Sequence, residues 1–144
     1  MKFEFLTHFA LVLSMCSVPS LFAENVRLSS AHFNLDFQVK EDGRLYQRAI
    51  GLGDAGKQLQ RNDEAYPQAG DGYIWEPALQ VVHADGNTST ALLFQNFTRT
   101  NEAAGREVTR INLRDPAYPL EVSLCFRTHR DMDVLEQWTE IRHH

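Results

Sequence analysis

The sequence has few cysteines, no long apolar run and no excess of basic residues, and each lack excludes a class of protein. It has two cysteines, Cys16 and Cys125, in 144 residues. Because Cys16 lies in an N-terminal segment that we expect to be removed, no intrachain disulfide would remain to stabilise the fold. The 14 Lys and Arg residues are outnumbered by 19 Asp and Glu, and the net charge of −5 disfavours a nucleic-acid partner.

The first 23 residues are typical of a secretory signal peptide. Lys2 precedes an apolar run over 9–15, and Ala23 supplies a small residue where cleavage would occur. The apolar run is too short and too interrupted to cross a bilayer, so we expect no membrane association. We therefore predict a signal peptide at 1–23 and a partial N-terminal domain at 24–144, secreted or periplasmic after cleavage.

Beyond the signal peptide, apolar residues recur with a period of two, which is typical of half-buried strands. The clearest case is Leu120, Val122, Leu124 and Phe126, which alternate with mostly polar residues and place Cys125 on the polar face. Strands are predicted at 33–39, 44–50, 78–83, 91–98, 108–113, 120–127 and 134–143. With turn signals about every 8–12 residues and no helical pattern, this order predicts an all-β protein, an antiparallel β-sandwich.

Two further features, a hairpin turn and the C-terminal end of the sequence, refine this expectation. Asp42-Gly43 lies between the first two predicted strands, which is the sequence of a tight hairpin turn. The last predicted strand runs into His143 and His144 with no turn after it. We therefore expect a sandwich that is incomplete at its C-terminus.

A long irregular stretch over 51–73 separates the second and third predicted strands, and long loops in compact domains are usually functional. At its end, Asp71, Tyr73 and Trp75 combine aromatic faces with a carboxylate, as a carbohydrate contact requires. We take these three as candidate substrate-binding residues. The alternative is that the aromatic side chains, including Tyr66, pack the sandwich or an interface between domains.

No pattern in the sequence indicates catalysis or a cofactor. The glycines at 51–56 resemble a phosphate-binding loop, but no helix follows them. Cysteine and histidine spacings do not match a zinc site, and adjacent His143 and His144 on a strand point to opposite faces. Carboxylate pairs such as Glu136 with Glu140 are expected on a solvated strand face. We predict no catalytic residue, no metal and no cofactor.

An ordered series of short motifs resembles the N-terminal domain of glycoside hydrolase family 36. The motifs are Glu-Ala-Tyr-Pro at 64–67, Gly-Asp-Gly-Tyr at 70–73, Glu-Pro-Ala-Leu at 76–79, Asp-Gly-Asn at 85–87, Ile-Asn-Leu-Arg-Asp-Pro at 111–116, Tyr-Pro-Leu-Glu-Val at 118–122 and Arg-Asp-Met-Asp-Val at 130–134. The resemblance implies a supersandwich-type β-domain that precedes a (β/α)8 catalytic barrel in retaining α-galactosidases. Both catalytic aspartates of that family lie in the barrel, so none is carried over to this chain.

The resemblance also implies partners and a function. The expected partners are the missing barrel of the same protein, further copies in a homo-oligomer of the full-length enzyme, and a galactoside at most at the rim of the active site. The first hypothesis is a non-catalytic support domain of a secreted α-galactosidase in carbohydrate metabolism. The alternatives are a stand-alone carbohydrate-binding β-sandwich without enzymatic activity and a fragment without a function of its own.

Overall fold

The computed structural model describes residues 24–51, 60, 63–70 and 73–144, and these residues form strands but no α-helix. The predicted signal peptide lies outside the described residues. No helix in the described part is long and apolar enough to cross a membrane. The strands are β1 (Asn25–Ser29), β2 (Asn34–Val39), β3 (Leu45–Gly51), β4 (Leu93–Glu102), β5 (Arg106–Arg114), β6 (Leu120–His129) and β7 (Leu135–His143).

The strands form two antiparallel sheets, one in the order β1-β2-β3 and the other in the order β4-β5-β6-β7. In β6, Val122, Leu124 and Phe126 are at most 2% exposed, because alternate side chains face the other sheet. Phe37 of β2 meets Phe126 across the interface, with ring centroids 5.2 Å apart and planes tilted by 42°. The all-β prediction of an antiparallel sandwich is confirmed.

The turn between β2 and β3 also joins the two sheets. Gly43 adopts a φ of 74°, which a glycine accepts without strain, and its N–H donates to the Lys40 carbonyl at 2.9 Å. Its own carbonyl accepts from the Phe94 N–H, also at 2.9 Å. The predicted hairpin turn is therefore confirmed, and it fixes the start of β4 against the smaller sheet.

One predicted strand is wrong and one observed strand was missed. Residues 78–83 form no strand, and Leu79 makes only an isolated parallel bridge with Gln68. Conversely, residues 25–29 pair with β2, although no strand was predicted there. Val26 and Leu28 are at most 1% exposed, and their neighbours in β1 are exposed. The alternation of apolar and polar residues is therefore present in β1, but it covers only five residues.

Cys125 lies on the polar outer face of the larger sheet, as predicted, yet its side chain is fully buried. Its direct neighbours across the strands are Arg110 and Trp138. The Cys125 Sγ also lies 3.8 Å from Glu140 Oε1. Burial raises the pKa of the Cys125 thiol, which disfavours the reactive thiolate.

Candidate functional site

A buried polar network fixes the segment that follows β3. Glu64 and Arg44 form an ion pair in which Arg44 Nη1 donates to Glu64 Oε1 at 3.0 Å, and their side chains are 3% and 6% exposed. Gln68 Nε2 also donates to Glu64, and the Gln68 side-chain oxygen accepts from the Leu92 N–H. Since buried charges are tolerated only when paired and hydrogen-bonded, this network determines the path of the segment.

Backbone hydrogen bonds close the base of a loop above this network. The Ala69 N–H donates to the Leu79 carbonyl at 3.0 Å, and the Ala78 N–H donates to the Pro67 carbonyl at 2.8 Å. The Thr90 N–H in turn donates to the Ala69 carbonyl at 3.0 Å. Leu79 itself is buried in the core. These hydrogen bonds therefore fix both ends of the loop, at 67–69 and at 78–79, against the sandwich.

Gly70 lies where this loop turns. Its φ is 96°, and a Cβ placed on it would lie 2.7 Å from the Ser89 Cα and 2.6 Å from the Ser89 side chain. Only glycine fits this position, because both the left-handed backbone and the close approach exclude a side chain.

We call residues 73–78 the aromatic loop, because they carry two of the three predicted substrate-binding residues. Trp75 is 64% exposed and Ile74 is 82% exposed. Tyr73 is half-buried, and its N–H donates to the Gly70 carbonyl at 3.1 Å. Asp71, the third predicted residue, lies outside the described residues. The structure thus places Tyr73 and Trp75 on one loop, and their role in substrate binding stays a prediction.

Tyr66 behaves differently from Trp75. It packs against the core cluster, and burial raises the pKa of its phenol, opposed by a hydrogen bond with the Thr139 side chain. The packing interpretation therefore holds for Tyr66. Trp75 instead projects into solvent, where it is available for contact.

A rigid polar turn lies further along the chain, over 83–87. The His83 and Tyr118 rings stack at 3.5 Å with an angle of 8° between their planes. The Tyr118 hydroxyl donates to Asp85 at 2.9 Å, and Asn87 Nδ2 donates to the same hydroxyl at 2.8 Å. The Asn87 N–H, with a smaller contribution from the Tyr118 hydroxyl, holds the pKa of Asp85 below its usual range. No local sequence pattern indicates this contact, because Tyr118 is 33 positions from Asp85 and 31 from Asn87.

The carboxylates of the outer face are ion-pair partners. Glu140 accepts from Arg110 through both oxygens at 2.6 and 2.7 Å, which lowers the pKa of Glu140 to about 2. Glu136 accepts from Arg127 at 2.8 Å and contacts His129 at 2.9 Å. The hydrogen bond with His129 is the main reason that the pKa of Glu136 is lowered, and Arg127 adds to the effect. These groups are held ionised, so they are poor proton donors. Among the residues described, no cluster of three or more His, Cys, Asp or Glu side chains is arranged to hold a metal ion.

Comparison with known proteins relates this architecture to one family. The family model described as the glycosyl hydrolase family 36 N-terminal domain matches residues 23–144. A comparison with curated proteins finds no match.

Several solved structures are similar in fold. An α-galactosidase from Geobacillus stearothermophilus in complex with 1-deoxygalactonojirimycin is 17% identical, with a TM-score of 0.72, over 83% of this chain and 22% of its own. AgaB from the same organism is 18% identical, with a TM-score of 0.72, over 91% of this chain and 22% of its own. The Lactobacillus brevis α-galactosidase is 17% identical, with a TM-score of 0.68, over 83% of this chain and 21% of its own.

The match includes all of the residues that the structure describes, and it agrees with the two-sheet architecture. The chain spans about a fifth of the length of these solved enzymes. This chain belongs to the glycosyl hydrolase family 36 N-terminal domain family.

Proposed function

We propose that the chain is the non-catalytic N-terminal support domain of a secreted α-galactosidase that hydrolyses terminal α-galactosides in carbohydrate metabolism. The family assignment supports this proposal, and the solved relatives are named as α-galactosidases. The chain covers about a fifth of those enzymes, so the catalytic groups belong to a barrel that the family resemblance implies. The observation that carries the proposal is the exposed aromatic loop on a firmly anchored base.

The exposed apolar side chains of this loop are suited to contact with another domain. Ile74 and Trp75 are largely exposed, and Val82, shortly after the loop, is 71% exposed. Large apolar side chains grouped in one segment of a surface commonly mark an interaction site. The buried pair of Arg44 and Glu64 holds the base in place, so the loop would lose little conformational entropy on docking.

The partners follow from this arrangement. The aromatic loop would contact the catalytic barrel of the same protein or a neighbouring copy in a homo-oligomer. Asp71, Tyr73 and Trp75 would then lie at the rim of the galactoside site rather than at the bond that is cleaved. The signal-like segment 1–23 supports export, and the enzyme would then act outside the cytoplasm, secreted or periplasmic.

The test compares two forms of the protein on a chromogenic α-galactoside. One is the chain of 144 residues, and the other is the product of the same gene extended through any reading frame that continues after His144. We expect hydrolysis by the extended form only. Turnover by the chain itself, abolished by Asp71→Ala, would overturn the proposal.

Point variants in the extended form then test the loop. Trp75→Ala should lower activity or weaken assembly, because it removes the largest exposed side chain of the contact surface. Met132→Ala is the matched control, since Met132 is also exposed, at 48%, but lies in the turn between β6 and β7. Equal effects of the two substitutions, or none from Trp75→Ala, would remove the aromatic loop from the proposed contact.

The alternative function is a stand-alone carbohydrate-binding sandwich, and the exposed indole of Trp75 is the observation that favours it. Sugars stack on exposed aromatic faces, so binding should change the emission of Trp75. Titration of the Trp138→Phe variant with galactose and raffinose isolates that signal, because the chain has two tryptophans. Saturable quenching by the chain alone would favour this second function.

A further inference from the structure

A polar cavity of about 580 Å3 lies at one end of the sandwich, away from the aromatic loop. It is formed where the end of β1 meets the turn between β4 and β5 and the end of β6. Four guanidinium groups line it, with two carboxylates among them: Arg27, Arg99, Arg106 and Arg130, with Glu102 and Glu107. The lining is therefore net positive in a chain whose net charge is −5.

The two carboxylates neutralise these cations only weakly. Glu102 is held on the outer face by Arg127, which donates to its two oxygens at 3.0 and 3.3 Å. Its distance to Arg106 is 3.7 Å, longer than a charged hydrogen bond. Glu107 lies 3.9 Å from Arg99, again without a short contact.

Two of the arginines build the wall of the cavity. Arg27 donates to both oxygens of Asp36 at 2.6 and 2.9 Å, which fixes its guanidinium plane. Arg99 Nη2 donates to the Arg27 carbonyl at 2.7 Å and so connects the two sheets at this end. These contacts hold positive charge in a defined place, although Asp36 balances the charge of Arg27.

The other two arginines keep free donors. Arg106 uses its Nε to donate to the Ala103 carbonyl at 3.1 Å, and its two terminal amino groups donate to no described residue. The Arg130 guanidinium makes no hydrogen bond or ion pair within the part of the chain that the structure describes. Since guanidinium carries five donors in a planar fork, both groups are suited to bind an oxyanion.

Backbone geometry brings the chain at Arg130 close to the turn that precedes Arg106. The Arg130 N–H donates to the Gly105 carbonyl at 3.0 Å, and Gly105 directly precedes Arg106. Gly105 turns with a φ of 68°, and a Cβ placed on it would lie 3.6 Å from the Arg130 Cβ. The tight turn between β4 and β5 thus lies against the Arg130 backbone, and the side chains of Arg106 and Arg130 both line the cavity.

We propose that this cavity binds a small oxyanion-bearing ligand, held chiefly by Arg106 and Arg130. The volume lies within the range of about 300–1,000 Å3 typical of small-molecule sites, which admits a monosaccharide or disaccharide. Ser29, Ser30 and Thr128 also line the cavity. Their hydroxyl groups donate within the chain, so toward a ligand their oxygens can accept from hydroxyl groups. The shared chemistry is a phosphate, sulfate or carboxylate group on a polar body.

The experiment is calorimetric titration of the chain at low ionic strength with four probes: inorganic phosphate, inorganic sulfate, galacturonate and neutral galactose. We expect at least one anion to bind with a stoichiometry of one, while galactose does not compete for the same site. The phosphate, sulfate and galacturonate arms distinguish the source of the oxyanion. Added salt should weaken binding, because the interaction is between charges near the surface.

Arg106→Gln with Arg130→Gln should weaken anion binding by about tenfold or more, since charge-assisted hydrogen bonds are lost. Arg142→Gln is the matched control, because Arg142 is exposed on the outer face and lies away from this cavity. Thermal unfolding establishes that all variants are folded. The proposal is overturned if no anion binds at millimolar concentration, or if Arg142→Gln weakens binding as much as the double substitution.

Discussion

The larger sheet and the segment between β3 and β4 are ordered by different physical means. In the larger sheet, alternate side chains of β6 such as Val122 and Leu124 are fully buried, and β6 pairs with β5 and β7 without a register shift. The described part of the connecting segment has no strand, and its order comes from Glu64, Gln68 and Gly70. Repetition stabilises the first region, whereas a few irreplaceable residues stabilise the second.

This difference predicts different responses to substitution. Many similar apolar contacts share the stabilisation of the sheet, so a single small change there removes one contribution among many. In the connecting segment, each buried polar group depends on one or two partners, and loss of one leaves another group buried without compensation. The connecting segment is therefore the more fragile of the two, although it holds the functional candidates.

The largest effect is expected from breaking the buried ion pair. Glu64→Ala should destabilise the chain by about 3–5 kcal/mol, because it leaves the buried Arg44 guanidinium without its carboxylate. That is a large share of the about 5–15 kcal/mol that stabilises an ordinary domain. Urea unfolding, followed by tryptophan fluorescence, measures the loss.

Glu121→Ala is the matched control for this change. Glu121 lies on the larger sheet, and its contacts, at 3.9 Å with Arg114 and 3.2 Å with His144, are between more exposed side chains. Its loss should have little effect, as is usual for surface pairs. If Glu64→Ala and Glu121→Ala destabilise equally, buried polar groups do not determine the order of the connecting segment.

A smaller effect is expected from adding one methyl group to the turn of the loop. Gly70→Ala should cost about 1–3 kcal/mol, because the new Cβ meets the Ser89 backbone and the left-handed φ disfavours alanine. Gly86→Ala separates these two causes. Gly86 has a φ of 83° but has no neighbouring atom within 4 Å of an added Cβ.

The comparison of these two glycine variants decides which cause dominates. We expect Gly86→Ala to be milder, because it carries the backbone strain alone, about 1 kcal/mol. Thermal unfolding of both variants provides the measurement. A Gly86→Ala variant as unstable as Gly70→Ala would show that the close approach to Ser89 contributes nothing.

Much of the fold could be predicted from the sequence, because strand periodicity is a local signal. Six of the seven predicted strands overlap observed ones, and the hairpin turn at Asp42-Gly43 was identified from its residues alone. The error at 78–83 arose because short apolar stretches can alternate without pairing to a neighbour. There the backbone bonds of Ala78 and Leu79 go to Pro67 and Ala69 instead, which is a tertiary arrangement.

The candidate site could be predicted only in part. Trp75 and Tyr73 stood out because aromatic faces beside a carboxylate suit a carbohydrate contact, and the structure places both on one loop, with Trp75 exposed. The buried polar residues that hold the base of the loop could not be predicted from a local sequence pattern. Arg44 is 20 positions from Glu64, and Gln68 is 24 positions from Leu92, so no local pattern shows that these residues meet.

The smallest effect concerns the acid stability of the larger sheet. Arg110 lowers the pKa of Glu140 from 4.5 to about 2 in the folded chain. Because the folded pKa is depressed, the ion pair stabilises the fold fully above about pH 4.5, and this contribution disappears as the pH falls towards 2. Glu140→Gln lacks the titrating group, so its stability should fall less steeply over that range.

Urea unfolding of the natural chain and of Glu140→Gln at about pH 6 and about pH 2 measures this difference. The two proteins should differ at the higher pH and converge at the lower one. Arg110→Gln, alone and combined with Glu140→Gln, provides the double-mutant cycle that assigns the effect to this pair. Because Glu140 is partly exposed, the effect should be modest beside that of Glu64, and salt should reduce it further. A pH-independent difference would mean that Glu140 acts through packing against Cys125 and Trp138 rather than through its charge.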